Sequence, residues 1–202
     1  MKYLPKNSMC IFLCFLLAIS LSACSAGTEL NENNINQTVQ KVEKALKDFD
    51  EDELKKYVES QTLSKIISVS SGNKQFKRLG KAIFENLSME ITEIDLQKST
   101  VTLSVLNKDL EQGASDFARE LRENYTNVQL LSKLKDEGFL SVKVDYLEEE
   151  ISKAPMLESS TTITLSVKKS KKNLVLVFDE NAENAVSGGA LGAIMKAFTA
   201  EQ

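Results

Sequence analysis

Apolar residues three and four positions apart organise the first part of this chain. Ile35, Val39, Val42, Leu46 and Phe49 fall on one stripe and predict a helix from about Asn34 to Asp48. Asp50 followed three residues later by Glu53 resembles a capping box, and Leu54, Tyr57 and Val58 supply a short second amphipathic helix. Leu63, Ile66, Ile67 and Val69 predict another short helix, broken by Ser70-Ser71-Gly72-Asn73. Phe76, Leu79, Ile83, Phe84 and Leu87 predict a further one. Its Gly80 costs a helix about 1 kcal/mol relative to alanine, and so points to close packing.

The period changes at Ser88. Met89 to Ile94 and Val101 to Val105 are rich in β-branched residues and alternate in part around the polar turn Gln97 to Thr100, which predicts an antiparallel hairpin with one wet face. Asn107-Lys108-Asp109 closes it. Ser115 is placed to cap a long helix carrying Phe117, Leu121, Val128, Leu131 and Leu134, with Gly138 as its stop. Leu140, Val144, Leu147 and Ile151 fit a helix ended by Ala154-Pro155, although Leu140, Val142, Val144 and Tyr146 also alternate; helix is the preferred reading. Thr161 to Val167 alternates, and Leu174 to Phe178 is nearly continuous in apolar residues, so these form a second hairpin whose Leu174 strand is central or covered on both faces. Val186, Leu191, Ile194, Met195 and Phe198 end the chain as an amphipathic helix entered through Gly188 and Gly189. The predicted fold is α+β: an antiparallel sheet of about four strands, in two hairpins, packed with several helices.

Ahead of all this lies an apolar run from Met9 to Leu21, preceded by Lys2 and Lys6 and too short for a comfortable membrane span. It ends in Leu21-Ser22-Ala23-Cys24. This lipobox resembles bacterial lipoprotein signals, and the resemblance implies that Cys24 receives a diacylglyceryl group and becomes the first residue once 1–23 are removed. Two acyl chains hold a protein on one leaflet, at about 0.8 kcal/mol per buried methylene, without a transmembrane helix. Residues 24–33 then read as a lipidated N-terminus and polar tether, and 34–202 as a single extracytoplasmic domain. Nine coil residues from Ser25 reach roughly 15 to 18 Å.

Charge and residue inventory narrow the function. The chain carries 25 basic and 29 acidic residues; without Lys2 and Lys6 the balance is 23 to 29, a formal charge of −6 that disfavours nucleic acid as a partner. Cys10 and Cys14 fall in the removed segment, so no disulfide forms in the mature chain. With no histidine and no free thiol, the Ser-His-Asp and Cys-His mechanisms and His/Cys metal sites are excluded, and no cofactor is expected. Asp48 to Glu53 and Glu148-Glu149-Glu150 read as solvated faces. Lys168-Lys169-Ser170-Lys171-Lys172 is the dense basic patch, projecting from a hairpin tip, where lysines guard a turn or touch anionic lipid or wall polymer. Gly188 to Gly192 lacks the Lys-Ser/Thr of a phosphate loop and reads as close packing.

The order of helices, a hairpin ending in Asn107-Lys108-Asp109-Leu110, more helix, and a second hairpin with a lysine-rich turn resembles lipoproteins of Gram-positive bacteria whose extracellular part is nuclear transport factor 2-like, or cystatin-like. That resemblance covers about residues 34 to 200 and implies that the antiparallel sheet is strongly curved into a cone around helices, with a cavity at its open end. None of Asp95, Asp109, Tyr125 and Tyr146 matches a catalytic position of that superfamily. The leading expectation is a lipid-anchored accessory protein of the envelope, bound to the membrane through Cys24 and holding a small apolar ligand, a peptide or an envelope protein. The alternatives are an enzyme using carboxylate or tyrosine chemistry in the cone, a solute-capturing importer subunit, and a structural subunit of an envelope complex.

Overall fold

A computed structural model describes residues 28–70 and 72–199; Cys24, the segment 1–23 and Ser25 to Gly27 lie outside the described residues. Helix α1 spans Glu32–Lys47, two residues earlier than the periodicity predicts and within the stretch read as a tether, because the Asn31 side chain accepts the Asn34 amide at 2.8 Å. Asp50 caps α2 (Glu51–Tyr57) through the amides of Asp52 and Glu53, each at 3.1 Å. Val58 leaves the predicted helix and, with Glu59, forms β1. Helices α3 (Gln61–Ser70) and α4 (Lys74–Phe84) follow as predicted. Gly80 of α4 lies against Phe49, whose ring would meet an added Cβ at 2.2 Å, so the predicted close packing is the reason glycine sits there.

Strands β2 (Ser88–Asp95) and β3 (Thr100–Leu106) form the first hairpin. A bulge at Thr92 puts an extra residue in β2, so Ile91 and Ile94 both pack on the core despite their odd spacing. The alternation is partial for this reason. Strands β4 (Thr161–Lys169) and β5 (Leu174–Val177) form the second. The sheet order is β1-β5-β4-β3-β2, antiparallel except for the parallel pair of β1 with β5. It is therefore an open five-stranded sheet, one strand more than predicted, and the added strand is too short for any periodicity to announce. β5 is an interior strand, with Leu174 and Leu176 fully buried and Val175 and Val177 half-buried.

The inner face of the sheet carries Val101, Leu103, Val105, Leu165 and Leu176, each at most 1 % exposed, and the stripe of α1 packs onto it through Ile35, Val39, Val42 and Leu46. Filling this face with a helix replaces the hollow cone of the expected fold with a packed core. The outer face is wet: Thr102 and Thr164 hydroxyls lie 3.1 Å apart, and Ser104 donates to Ser160 at 2.7 Å.

The segment after β3 differs from its prediction. The expected long helix from Ser115 to Gly138 is two helices, α5 (Glu111–Asn124) and α6 (Asn127–Lys133), with Ser115 inside the first. Thr126 and Gln129 make a reciprocal capping box that starts α6: the Thr126 amide donates to Gln129 Oε1 at 2.8 Å and the Gln129 amide to Thr126 Oγ1 at 3.3 Å. Gly138 is no stop. Its amide and that of Phe139 donate to Asp136, which caps α7 (Glu137–Lys153), so the preferred helical reading of that stretch holds. Val186 belongs instead to a separate short helix, α8 (Glu180–Val186), capped by Asp179, while the last helix, α9 (Ala190–Thr199), is entered through Gly188 and Gly189 as predicted. No helix of the described residues is long and apolar enough to cross a membrane.

Candidate functional site

Helices α4, α5, α6, α7 and α9 form a layer beside the sheet, with their apolar stripes turned toward one another. Helix α4 contributes Phe76, Leu79 and Ile83, and α7 contributes Leu140, Val144, Leu147 and Ile151. Both sets keep the three-and-four spacing that the sequence showed. Helices α5 and α9 approach closely because Ala114, Ala118, Ala190 and Ala193 are small. Small residues here and large ones on α4 and α7 do not interlock completely, and two hollows remain. One, about 290 Å³, lies beyond the C-terminal end of β3, between Ile83, Leu110, Gly113, Ile151 and Ile194. The other, about 410 Å³, is lined by Leu121, Leu130, Phe139, Val144 and Phe198 among others. Leu79 and Leu147 line both, so the hollows are neighbours along one helix interface.

The rim exposes apolar surface that a closed core would have covered. Leu131 is 65 % exposed and Phe198 41 %. Around them sit charged groups already engaged: Lys143 pairs with Glu120 at 2.5 Å, and Lys153 with Glu150 at 3.0 Å. The lysine ammonium groups of 133 and 143 also lie 5.6 and 6.0 Å from the Phe139 ring centroid, a cation–π arrangement. Among the described residues, neither lining contains a hydroxyl, thiol or imidazole side chain. The chemistry on offer is apolar burial with a few polar groups, Asp109, Glu150 and Lys153 in the first hollow and Asn127 and Lys143 in the second.

A third hollow, about 480 Å³ and polar, lies at the same end of the sheet between Thr161 to Thr164 and Asp109, Glu111 and Asp179. The Asp179 carboxylate is occupied in capping α8 at 2.8 Å. Among the described residues no cluster of three His, Cys, Asp or Glu side chains is arranged to hold a metal ion.

The carboxylates and tyrosines singled out from the sequence do not converge. Asp95 ends β2, where the Lys98 amide and ammonium hold its carboxyl below the usual aspartate range. Asp109 stands at the mouth of the first hollow, at the other end of β3. Tyr125 meets the edge of Phe139, and Tyr146 stacks on Phe117. Of the acidic runs, Asp48 pairs with Lys44, whose hydrogen bond lowers the carboxyl's pKa, and Glu148 with Arg78 at 2.6 Å. These are partnered surface groups, as expected of solvated faces.

One buried carboxylate escaped the sequence reading. Glu183 is 5 % exposed, and accepts hydrogen bonds from the Ser60 hydroxyl and the Thr62 amide. Ser60 in turn accepts the Leu63 amide at 2.9 Å, so the pair ties the N-terminus of α3 to α8. Its work is structural. Because 121 to 123 residues separate the partners, no local motif could have announced it.

No protein-family model matches the chain, and no curated protein does. Among solved structures it is similar to a candidate lipoprotein of Bacillus subtilis, ycdA, at 16 % identity and a TM-score of 0.35, over 76 % of this chain and 46 % of that one. The chain thus spans under half the length of that structure, and a likeness of this degree carries no argument about fold or role.

Proposed function

We propose that this chain is a lipid-anchored, extracytoplasmic binding protein of the bacterial envelope, which takes an apolar ligand or a partner's apolar side chains into the hollows between α4, α5, α6, α7 and α9. The observation that carries the binding reading is the pair of adjoining hollows with exposed Leu131 and Phe198 at the rim. The anchoring reading rests on Leu21-Ser22-Ala23-Cys24 behind a short apolar run. An enzyme in a cone cavity has less support, because α1 occupies the sheet's inner face and the carboxylates and tyrosines singled out from the sequence do not converge on one hollow.

Binding is tested with a neutral naphthylamine dye whose emission rises in apolar surroundings. Gly113 lines the first hollow, and a Cβ built there meets nothing within 4 Å, so Gly113→Leu fills the space without a clash at its root. The variant should keep or slightly raise stability, by about 0.5 to 1 kcal/mol from helix propensity, while dye affinity falls roughly tenfold. Unchanged affinity in Gly113→Leu and in Phe198→Ala would remove the hollows from the proposal.

Anchoring is tested separately. Cys24→Ser should leave an unprocessed precursor or release the protein into the medium, and mass spectrometry of the wild-type product should show acyl chains on Cys24. Normal processing and membrane retention of Cys24→Ser would contradict the anchor.

A further inference from the structure

The first described residue is fixed to the lysine-rich turn. Thr28 Oγ1 donates to the Lys172 carbonyl at 2.6 Å, in the loop joining β4 to β5. Thr28 stands four positions beyond Cys24, and four fully extended residue steps span no more than about 14 Å. The turn that bears Lys169, Lys171 and Lys172 is thereby held within that reach of the residue proposed to carry the acyl chains. These three side chains are exposed and, among the described residues, have no carboxylate within salt-bridge distance; Lys168 beside them pairs with Glu59 at 2.7 Å. The opposite end of the sheet carries the carboxylates Asp109, Glu111 and Asp179, as well as the apolar hollow beyond β3. From Thr161 to Lys169, β4 puts roughly 26 Å between the two ends.

We propose that the β4–β5 turn is a membrane-docking surface: Lys169, Lys171 and Lys172 sit on anionic phospholipid headgroups of the bilayer that holds the anchor, and turn the hollow beyond β3 away from the membrane. This rests on the proposed acylation of Cys24. An acyl anchor and a basic patch reinforce each other, because the anchor raises the local concentration of headgroups while the cations hold the body in one orientation. Screening by salt acts on the second contribution alone.

The test uses the mature acylated protein in vesicles with and without anionic phospholipid. Acylation consumes Cys24, so one added thiol at either end of β4, Ser170→Cys or Ser159→Cys, takes a single fluorophore. Headgroup spin-labelled lipid should quench the label at 170 about threefold more than that at 159 in anionic vesicles. Raised salt, neutral lipid, or Lys169→Gln, Lys171→Gln and Lys172→Gln together should each at least roughly halve that difference. Equal quenching at the two positions, or a difference indifferent to the three lysines, overturns the docking surface while leaving the anchor intact. A triple variant that loses co-sedimentation with an anionic wall polymer yet keeps its vesicle quenching also overturns it, since the turn would then serve the polymer. Protein that fails to float with vesicles at all removes the anchor and this inference together.

Discussion

Asn107→Leu is expected to lower the unfolding free energy by about 3 to 5 kcal/mol, a large fraction of a typical domain's stability. Asn107 is fully buried at the end of β3, and its amide nitrogen donates to the carbonyls of Ile83, at 3.0 Å, and Val186, at 2.8 Å. Its side-chain oxygen accepts the Lys108 amide at 2.8 Å. One side chain thus joins the ends of α4, α8 and β3. Leucine has a similar volume but no polar atoms, so two carbonyls and an amide lose their partners in a place water does not readily reach. Urea unfolding of the variant measures the loss. Asn107→Asp should be comparably damaging, because it turns a donor into an acceptor facing two carbonyl oxygens. A loss under about 1 kcal/mol in both would show that the site relaxes or hydrates easily.

Gly188→Ala should cost roughly 3 kcal/mol, from two sources that act together. Gly188 has φ +58°, where a Cβ is strained, and a Cβ built there would lie 1.9 Å from the Lys108 carbonyl oxygen. That oxygen belongs to backbone and cannot swing aside. The Gly188 carbonyl also accepts the Leu110 amide at 2.8 Å, so any shift of the turn loosens the start of α5 as well. Thermal unfolding should show a clear fall in the midpoint, and dye binding at the hollow beyond β3 should weaken with it, since Leu110 and Ala190 line that space. Gly113→Leu provides the contrast, with no loss of stability expected from a glycine whose surroundings are open. Equal stability changes in the two variants would contradict the packing argument.

Asn107 and Gly188 also show what a linear reading can and cannot reach. The Asn107-Lys108-Asp109 stretch was legible as the close of a hairpin. That Lys108 reaches the carbonyls of Ile151 and Ser152, at 2.8 and 2.9 Å, and so caps the end of α7 was not, because the partners stand 43 and 44 positions apart. Gly188 to Gly192 was legible as close packing, but what it packs against is set by α5 meeting α9. The hollows were only half legible: the stripes on α4 and α7 were in the sequence, whereas the misfit between them depends on which helices become neighbours. Where local signals competed, reading them singly misled. The Thr126–Gln129 capping box was present in the chain, yet the apolar periodicity running past it suggested one long helix, and Gly138 read as an end although Asp136 makes it a beginning.

By itself the sequence determined the elements whose signals lie within a few residues: the amphipathic stripe of α1, the cap at Asp50, the two hairpins, the first with one wet face, and the charge and residue inventory. These follow from side-chain periodicity and local hydrogen bonding, which need no distant partner. The tertiary structure alone decided that α1 fills the sheet's inner face, that two residues after α2 become a fifth strand beside β5, that Glu183 is buried against Ser60, and that Thr28 binds the lysine turn. Each joins groups tens of residues or more apart, and the free energy that selects it comes from burying surface and satisfying polar atoms together, a quantity no single segment contains.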